Sequence, residues 1–411
     1  MINAIKKINY SLKDDWILFF LTFLFHEIFV ILLSFNFLKL PFNIIDQYNY
    51  HTFSLQISDL INNGSYFLGA VYPHHWYPLF VGFLYSIFGK SIFLATSFNA
   101  FLAGLSSLLL FNIIIIFDNK VNRKIVFWVV FLVMNIYASL MLHSSLLLKE
   151  SWILFLILCI FYFSLRIFNS EKFNWFYFFS ILLLIISLRS LRFFIGFAVI
   201  VGFLTTWFFQ SRIFIRSRIF YGISMIFIVS LTTFFMTGNS IGKNISFSQY
   251  IQPSFIHKMR TDYFSGGSTS IKSEVIKENE IIYDSQKKDS IYTYCLTGIF
   301  DSFLSVFLGP FPWQLSFKKY ILVFSDMLIW YVIFIFSILG IFCSRLKNLL
   351  LYLISVSIII IGLAMSVGNF GALLRYRIPV LIIFSIFVPT GISFLWSFLK
   401  NKKNENTLHN N

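Results

Sequence analysis

The sequence predicts an all-α membrane protein of about ten transmembrane helices, and its composition and its hydropathy pattern both support this. Apolar residues make up 58% of the 411 residues and charged residues only 12%. A typical soluble domain carries about 25% charged residues. Apolar runs long enough to cross a bilayer, about 20 residues each, recur along the chain. We therefore expect one membrane domain over residues 1–411, inserted as a multi-pass protein in a bacterial inner membrane.

The predicted spans are separated by short polar segments and by two longer loops. A shorter apolar run at 78–88 cannot cross a bilayer, so we expect an interfacial helix there. It falls within the first long loop, residues 41–90, and the second long loop covers 238–319. The spans are expected near residues 16–38, 91–117, 125–146, 150–168, 173–189, 192–210, 219–237, 320–343, 347–366 and 377–398.

The basic residues predict the orientation of these spans. With the N-terminus in the cytoplasm, every inside loop carries Lys or Arg, as the positive-inside rule requires. Both long loops, 41–90 and 238–319, then lie outside. The net charge of +15 is spread over many short loops, which favours contact with membrane lipid and gives no basic patch for nucleic acid.

The residues that commonly hold metals or cofactors show no recognisable pattern. Cys159, Cys295 and Cys343 lie far apart in the chain and have no metal-ligand spacing. His74 and His75 are adjacent, in a loop rich in aromatic residues, where we expect them to contact substrate rather than a metal. The chain has no phosphate-binding or dinucleotide-binding glycine motif and no nucleophile motif. We expect no metal and no cofactor.

Two acids follow the outer ends of predicted spans. Asp46 lies just past the first span, with Tyr50 nearby, and Glu150 opens the fourth span. Asp46 is either a solvated loop acid or a partly desolvated base beside the membrane. Glu150 either forms a helix-start pair with Lys149, favoured by the helix dipole, or faces the same outer cavity as Asp46.

Four arginines stand at the same predicted outer face, although the positive-inside rule disfavours them there. Arg189 and Arg192 lie between two spans with almost no loop, and Arg375 and Arg377 precede the last span. They are either snorkelling side chains or a wall that binds phosphate, since a guanidinium group matches phosphate with two parallel hydrogen bonds.

The order of these features resembles the C-type glycosyltransferase superfamily, near the family 39 mannosyltransferases and the lipid A aminoarabinose transferases. In that group an outer acid with a nearby Tyr follows the first span, and interfacial helices and a second acid come next. An R-Y-x-x-P motif lies near the last spans. The corresponding pieces here are Asp46, Tyr77-Pro78 to Phe88-Gly89, Glu150 and Arg375 to Pro379. The segments Gly266–Ser268 and Pro310–Trp313 also resemble uncharacterised members of this broad group. The chain has Asp46-Gln47 where the family usually has Asp-Glu.

The resemblance implies transfer of a sugar from a polyprenyl-phosphate carrier to a glycan, lipid or protein acceptor at the outer face. Asp46 would accept the proton of the acceptor hydroxyl, and Glu150 would support it. The four arginines would hold the carrier phosphate, and Tyr50, His74, His75 and Tyr77 would contact substrate.

Two alternatives remain open. One is a polysaccharide repeat-unit polymerase, which uses related chemistry. The other is a transporter of lipid-linked sugar, which should show interrupted helices and paired repeats.

Overall fold

A computed structural model describes residues 2–38, 45–64, 76–170, 174–210, 307–309, 317–344, 346–366 and 370–409. Within these ranges every regular element is a helix, so the predicted all-α class is confirmed for this part of the chain. The predicted span 219–237, most of the loop 238–319, and His74 and His75 lie outside the described residues.

We number the helices in chain order. They are α1 Ile2–Ser34, α2 Ile45–Asn62, α3 Trp76–Phe88, α4 Ile92–Phe117, α5 Arg123–Asn135, α6 Ala138–Ser144, α7 Glu150–Asn169, α8 Trp175–Leu191, α9 Phe193–Gln210, α10 Phe317–Cys343, α11 Leu346–Ser366, α12 Phe370–Ser385 and α13 Val388–His409.

Several of these helices could cross a membrane. Four are long and apolar enough on their own: the segments Asp14–Ser34, Ile92–Phe117, Glu150–Asn169 and Val323–Cys343. Two further pairs, α5 with α6 and α12 with α13, pass the same test together but are bent, which raises the number to six. The amphipathic α2 and the short apolar α3 pack on each other beside this bundle.

Helix α12 lies at the centre of the bundle. Every residue from 377 to 391 is buried, and α12 contacts α5, α6, α7, α10, α11 and α13. A helix that is apolar all round belongs in the interior. Arg375 and Tyr376, just before this buried stretch, are only partly buried, so α12 emerges from the core where these two residues lie.

Two glycines allow α10 and α13 to approach each other closely. A Cβ atom at Gly340 would overlap the carbonyl oxygen of Phe387, and one at Gly391 would overlap the carbonyl oxygen of Phe336. Small residues at such crossings let two backbones come together, which strengthens van der Waals packing between membrane helices.

The segment predicted as a span at 125–146 is broken into two helices, α5 and α6, which together are long and apolar enough to cross a membrane. The two helices meet at 63° across Ile136 and Tyr137. Neither residue is Pro or Gly, so the usual local cause of a kink is missing. The break is instead stabilised by a contact with a distant helix. Asp326 of α10 caps α6 by accepting hydrogen bonds from the Ser139 backbone N–H, at 3.1 and 3.2 Å, and from the Ser139 hydroxyl.

The other side of the break is also satisfied by a neighbouring helix. The last carbonyls of a helix have no partner within it. His26 of α1 donates from Nε2 to the carbonyl of Met134 at 2.9 Å, and its Nδ1 lies in hydrogen-bond contact with the hydroxyl of Ser144. The break is therefore held from α1 on one side and from α10 on the other.

Candidate functional site

Charged residues from four parts of the chain meet at one end of the bundle, which we call the site end. Helix α2 contributes Asp46 in its first turn, where a helix dipole favours an acid. Helix α7 begins at Glu150. Arg192 is the single residue between α8 and α9, and Arg375 lies in α12. Asp46 and Glu150, which the sequence analysis expected in one cavity, are both bound to Arg375.

Arg375 bridges a buried and an exposed carboxylate. Its Nη1 donates to Oδ2 of Asp46 at 2.6 Å, and its Nε donates to Oε1 of Glu150. Arg192 donates from Nη2 to the same Glu150 oxygen at 2.7 Å. The Glu150 side chain is 4% exposed and that of Asp46 is 49% exposed. Glu150 is thus the internal counter-ion of two arginines, whereas the Asp46 side chain is half-exposed.

Tyr376 supports this ion cluster through its ring. The Arg192 guanidinium carbon lies 3.7 Å from the ring centroid, and that of Arg375 lies 5.9 Å away. A guanidinium group over a tyrosine face gains cation–π attraction, most strongly where both groups are desolvated. In the sequence, Tyr376 stands out only as the tyrosine of the R-Y-x-x-P motif. In the structure it fixes the plane of Arg192 and so helps to aim this arginine at Glu150.

Arg377 does not join this cluster, which corrects the expectation of one wall of four arginines. It is fully buried on another face of α12. Its Nη2 donates to the carbonyl of Gly309 at 2.6 Å, and its guanidinium carbon lies 4.9 Å from the Trp330 ring centroid. Residues two apart on a helix do not face the same way. Arg189 lies half-buried in the last turn of α8.

Two tyrosines form an aromatic wall beside the ions. The rings of Tyr50 and Tyr77 meet edge to face with centroids 5.0 Å apart. Burial raises the pKa of Tyr50 to about 12 and raises the pKa of Tyr77 well above its usual value. Both hydroxyl groups are protonated at neutral pH, as an ordinary tyrosine is, and burial extends this to a higher pH.

Asn99 positions the loop that leads to Glu150, and sequence reasoning missed it. Its Nδ2 lies 2.7 Å from the carbonyl of Leu146, 3.0 Å from that of Leu148 and 3.1 Å from the Tyr77 hydroxyl. From the other side, the Leu147 backbone N–H donates to Oε1 of Gln47 at 3.3 Å. The available signal was an asparagine inside a long apolar run, since buried polar groups in a membrane span are costly and often functional.

Lys149 lies next to the cluster but outside its ion pairs. The helix-start pair of Lys149 with Glu150 is not formed, because Glu150 is bound by the two arginines. Instead, Lys149 Nζ donates to the carbonyl of Leu191 at 3.0 Å, at the C-terminal end of α8. Burial, followed by the nearby charge of Arg192, lowers the pKa of Lys149 to about 8. The side chain lines a small cleft at the surface.

The arrangement offers an exposed carboxylate, three cationic groups and an aromatic wall at one end of an apolar bundle. Such a site suits an acid–base reaction on an anionic, partly apolar substrate. No group of three or more His, Cys, Asp or Glu residues in the described ranges could hold a metal ion. No protein-family model, no curated protein and no solved structure matches the chain.

Proposed function

We propose that the protein is a membrane glycosyltransferase that moves a sugar from a polyprenyl-phosphate carrier to a glycan, lipid or protein acceptor at the outer face of the membrane. The observation that carries the proposal is the half-exposed Asp46 carboxylate, held by an arginine that also binds the buried Glu150. Asp46 is therefore an accessible base whose orientation is fixed by Arg375, and it lies at the end of a bundle whose helices are apolar enough to cross a membrane.

In the proposed reaction, the oxygen of the acceptor hydroxyl attacks the anomeric carbon of the sugar. The bond from that carbon to the carrier phosphate oxygen breaks, and the phosphate leaves with the electron pair. Asp46 accepts the hydroxyl proton, with Arg375 holding Oδ2 so that Oδ1 faces the acceptor. One displacement of this kind inverts the anomeric centre. Arg192 and Arg375 supply positive potential as charge develops on the leaving group.

The proposal includes ten spans with the site end outside the cell. The six counted above are joined by the shorter apolar segments Trp175–Leu191, Phe194–Trp207 and Leu349–Leu363, and the tenth would be 219–237. With the N-terminus inside, the loop after α1, the start of α7 and the turn between α8 and α9 all fall on the outer side. The proposed membrane is the bacterial inner membrane.

Asp46→Asn tests the catalytic part of the proposal. The substitution keeps the size and hydrogen bonding of the side chain but removes the base. General-base assistance is worth about 10²–10⁴-fold in rate, so transfer of radiolabelled sugar from a polyprenyl-phosphate donor in isolated membranes should fall by that factor. The matched control is Asp59→Asn on the same helix, since the Asp59 carboxylate pairs with Lys90 at an exposed position. Near wild-type transfer by Asp46→Asn would refute the base assignment.

The transporter alternative is favoured by one observation, the two broken helix pairs with bends of 63° and 47°. Interrupted helices are a common feature of membrane transporters. A fluorescent lipid-linked sugar in proteoliposomes separates the two functions. A transporter would move the lipid across the bilayer without any acceptor, whereas a transferase would form product with the acceptor on the donor's own side.

The polymerase alternative shares the transfer chemistry and differs in its acceptor. A polymerase uses lipid-linked repeat units as both donor and acceptor, so its product is a ladder of increasing length. A single product band from a radiolabelled donor would favour the transferase proposed here.

A further inference from the structure

Three consecutive backbone carbonyls, those of residues 307–309, are held by side chains of α10 and α12. Their hydrogen-bond donors are, in chain order, Trp330 Nε1 at 2.6 Å, the Tyr331 hydroxyl, and Arg377 Nη2 at 2.6 Å. A backbone carbonyl among apolar helices is costly unless a donor satisfies it. We call these three donors and the backbone at 307–309 the carbonyl lock.

Arg377 is the member of the carbonyl lock that belongs to α12. Its side chain is fully buried. Besides its bond to the carbonyl of Gly309, its Nη1 lies 3.2 Å from Sδ of Met327, and its guanidinium carbon lies 4.9 Å from the Trp330 ring centroid. Each of these groups belongs to α10 or to the locked backbone. The lock therefore holds α12 by the face that is turned towards α10.

The ion cluster holds the same helix from nearly the opposite face. Arg375 is two residues before Arg377, and each residue of an α-helix is turned by about 100° from the last. The two side chains therefore leave α12 about 200° apart. Arg375 binds Asp46 and Glu150, which lie on α2 and α7. The start of α12 is thus fixed between the ion cluster on one side and the carbonyl lock on the other.

A proline inside α12 explains why this turn needs side-chain support. Pro379 lies within the helix. It has no N–H, so the backbone hydrogen bond to the carbonyl four residues earlier, that of Arg375, is not formed. The turn that carries Arg375 is consequently less tightly joined to the buried part of the helix that follows. Arg377 lies between these two residues and ties the same turn to α10.

We propose that Arg377 is a positioning residue, which through the carbonyl lock fixes the turn of α12 that holds Arg375 against Asp46 and Glu150. The inference rests on the proposed function for the part that Arg375 plays in sugar transfer, whereas the lock itself does not depend on it. Without the lock, the turn of Arg375 shifts relative to the two carboxylates. Because Arg375 directs its hydrogen bonds to these carboxylates, the shift should slow the chemical step more than it weakens substrate binding.

The first test measures the unfolding equilibrium constant of the purified full-length protein by SDS titration. Trp330→Phe removes the indole donor and Tyr331→Phe removes only the hydroxyl, and each is combined with Arg375→Gln. Both lock residues are uncharged, so charge repulsion cannot couple them to Arg375. Independent substitutions multiply within about twofold. The combined effect should fall short of the product of the single effects by more than about threefold.

Two further variants sharpen this test. Tyr352→Phe is the matched control, because the Tyr352 hydroxyl is buried and has no hydrogen-bond partner in the described part of the chain. Its effect and that of Arg375→Gln should multiply within about twofold. Pro379→Ala restores a backbone donor to the carbonyl of Arg375. In this background the coupling between the lock variants and Arg375→Gln should fall to the level of the control.

The second test follows transfer of radiolabelled sugar from a polyprenyl-phosphate donor by the same single variants. A small misplacement of a catalytic group can cost about a hundredfold in rate. Trp330→Phe and Tyr331→Phe should therefore lower kcat by about ten- to a hundredfold and leave KM within about twofold of its wild-type value. Tyr352→Phe should change neither constant. Pro379→Ala should restore part of the kcat that either lock variant loses.

The inference is overturned if the lock variants act on unfolding independently of Arg375→Gln. It is also overturned if they lower kcat no more than Tyr352→Phe does in a protein that transfers sugar. Tyr331→Phe keeps the aromatic ring, so it decides the question should Trp330→Phe fail to fold. Coupled unfolding in a protein that transfers no sugar would refute the proposed function and leave the positioning of Arg375 by the lock standing.

Discussion

The burial of the two carboxylates predicts that Arg375 is coupled to them unequally. Both accept a hydrogen bond from its guanidinium, but Glu150 is 4% exposed and Asp46 is 49% exposed. A charged hydrogen bond shielded from water contributes about 1.5–3 kcal/mol, whereas an exposed ion pair contributes about 0.2–1 kcal/mol because solvent screens it. Double-mutant cycles should therefore give more than about 1.5 kcal/mol for Arg375 with Glu150, and less than about 1 kcal/mol for Arg375 with Asp46.

The cycles combine Arg375→Gln with Glu150→Gln or with Asp46→Asn, and the free energy of unfolding is measured by SDS titration in mixed micelles. The exposed pair of Lys90 and Asp59 is the control cycle and should give less than about 1 kcal/mol. Equal coupling energies for the two carboxylates, or a larger value for Asp46, would refute the assignment of Glu150 as the internal counter-ion.

Other parts of the fold give further measurable expectations. Asp326→Ala removes the cap of α6 and should cost about 1–2 kcal/mol of unfolding free energy in the same SDS titration, whereas Asp326→Asn, which keeps an acceptor, should cost less. Gly340→Ala places a methyl group against the backbone of Phe387 and should lower the free energy of unfolding by about 1–3 kcal/mol. Gly362→Ala places its methyl group 3.1 Å from the Phe194 ring, which can shift, so this variant should lower the free energy of unfolding by less. A single cysteine at position 64, in a cysteine-free background, should react with an impermeant thiol reagent from outside the cell, and one at position 120 only after the membrane is opened. Equal costs for the two alanine variants, or the reverse labelling, would contradict these expectations.

Much of the site end could be predicted from the sequence because span boundaries determine which residues meet there. Glu150 opens one predicted span, Arg192 lies between two, and Asp46 follows the first. Residues at the same ends of adjacent antiparallel helices become neighbours in space, which is how three distant stretches of chain were expected to converge. The helical class followed from apolar runs of about 20 residues, because a segment of that length crosses lipid as a helix that satisfies its own backbone hydrogen bonds.

The features that could not be predicted depend on contacts between distant residues. The break at Ile136 and Tyr137 has no local signal, because the acid that caps α6 is Asp326, 187 residues further along the chain. Asp326 itself was overlooked, although an acid within an apolar run is a reason to look for a buried partner. The placement of Arg375 and Arg377 on different faces of α12 could have been predicted, because residues two apart on a helix point in different directions.

Exposure increases stepwise across the ion cluster, and this order indicates what each residue contributes. The side chains of Glu150, Arg192, Arg375 and Asp46 are 4%, 6%, 14% and 49% exposed. Removing one member of a buried ion pair leaves an uncompensated charge and is strongly destabilising, so Glu150→Gln should lower stability and transfer together. Asp46 lies at the accessible end, where loss of its charge is screened by water, and Asp46→Asn should lower transfer while the free energy of unfolding changes by less than about 1 kcal/mol. The buried members of the cluster hold its geometry, and the half-exposed carboxylate of Asp46 is the group to which the proposed function assigns the role of base.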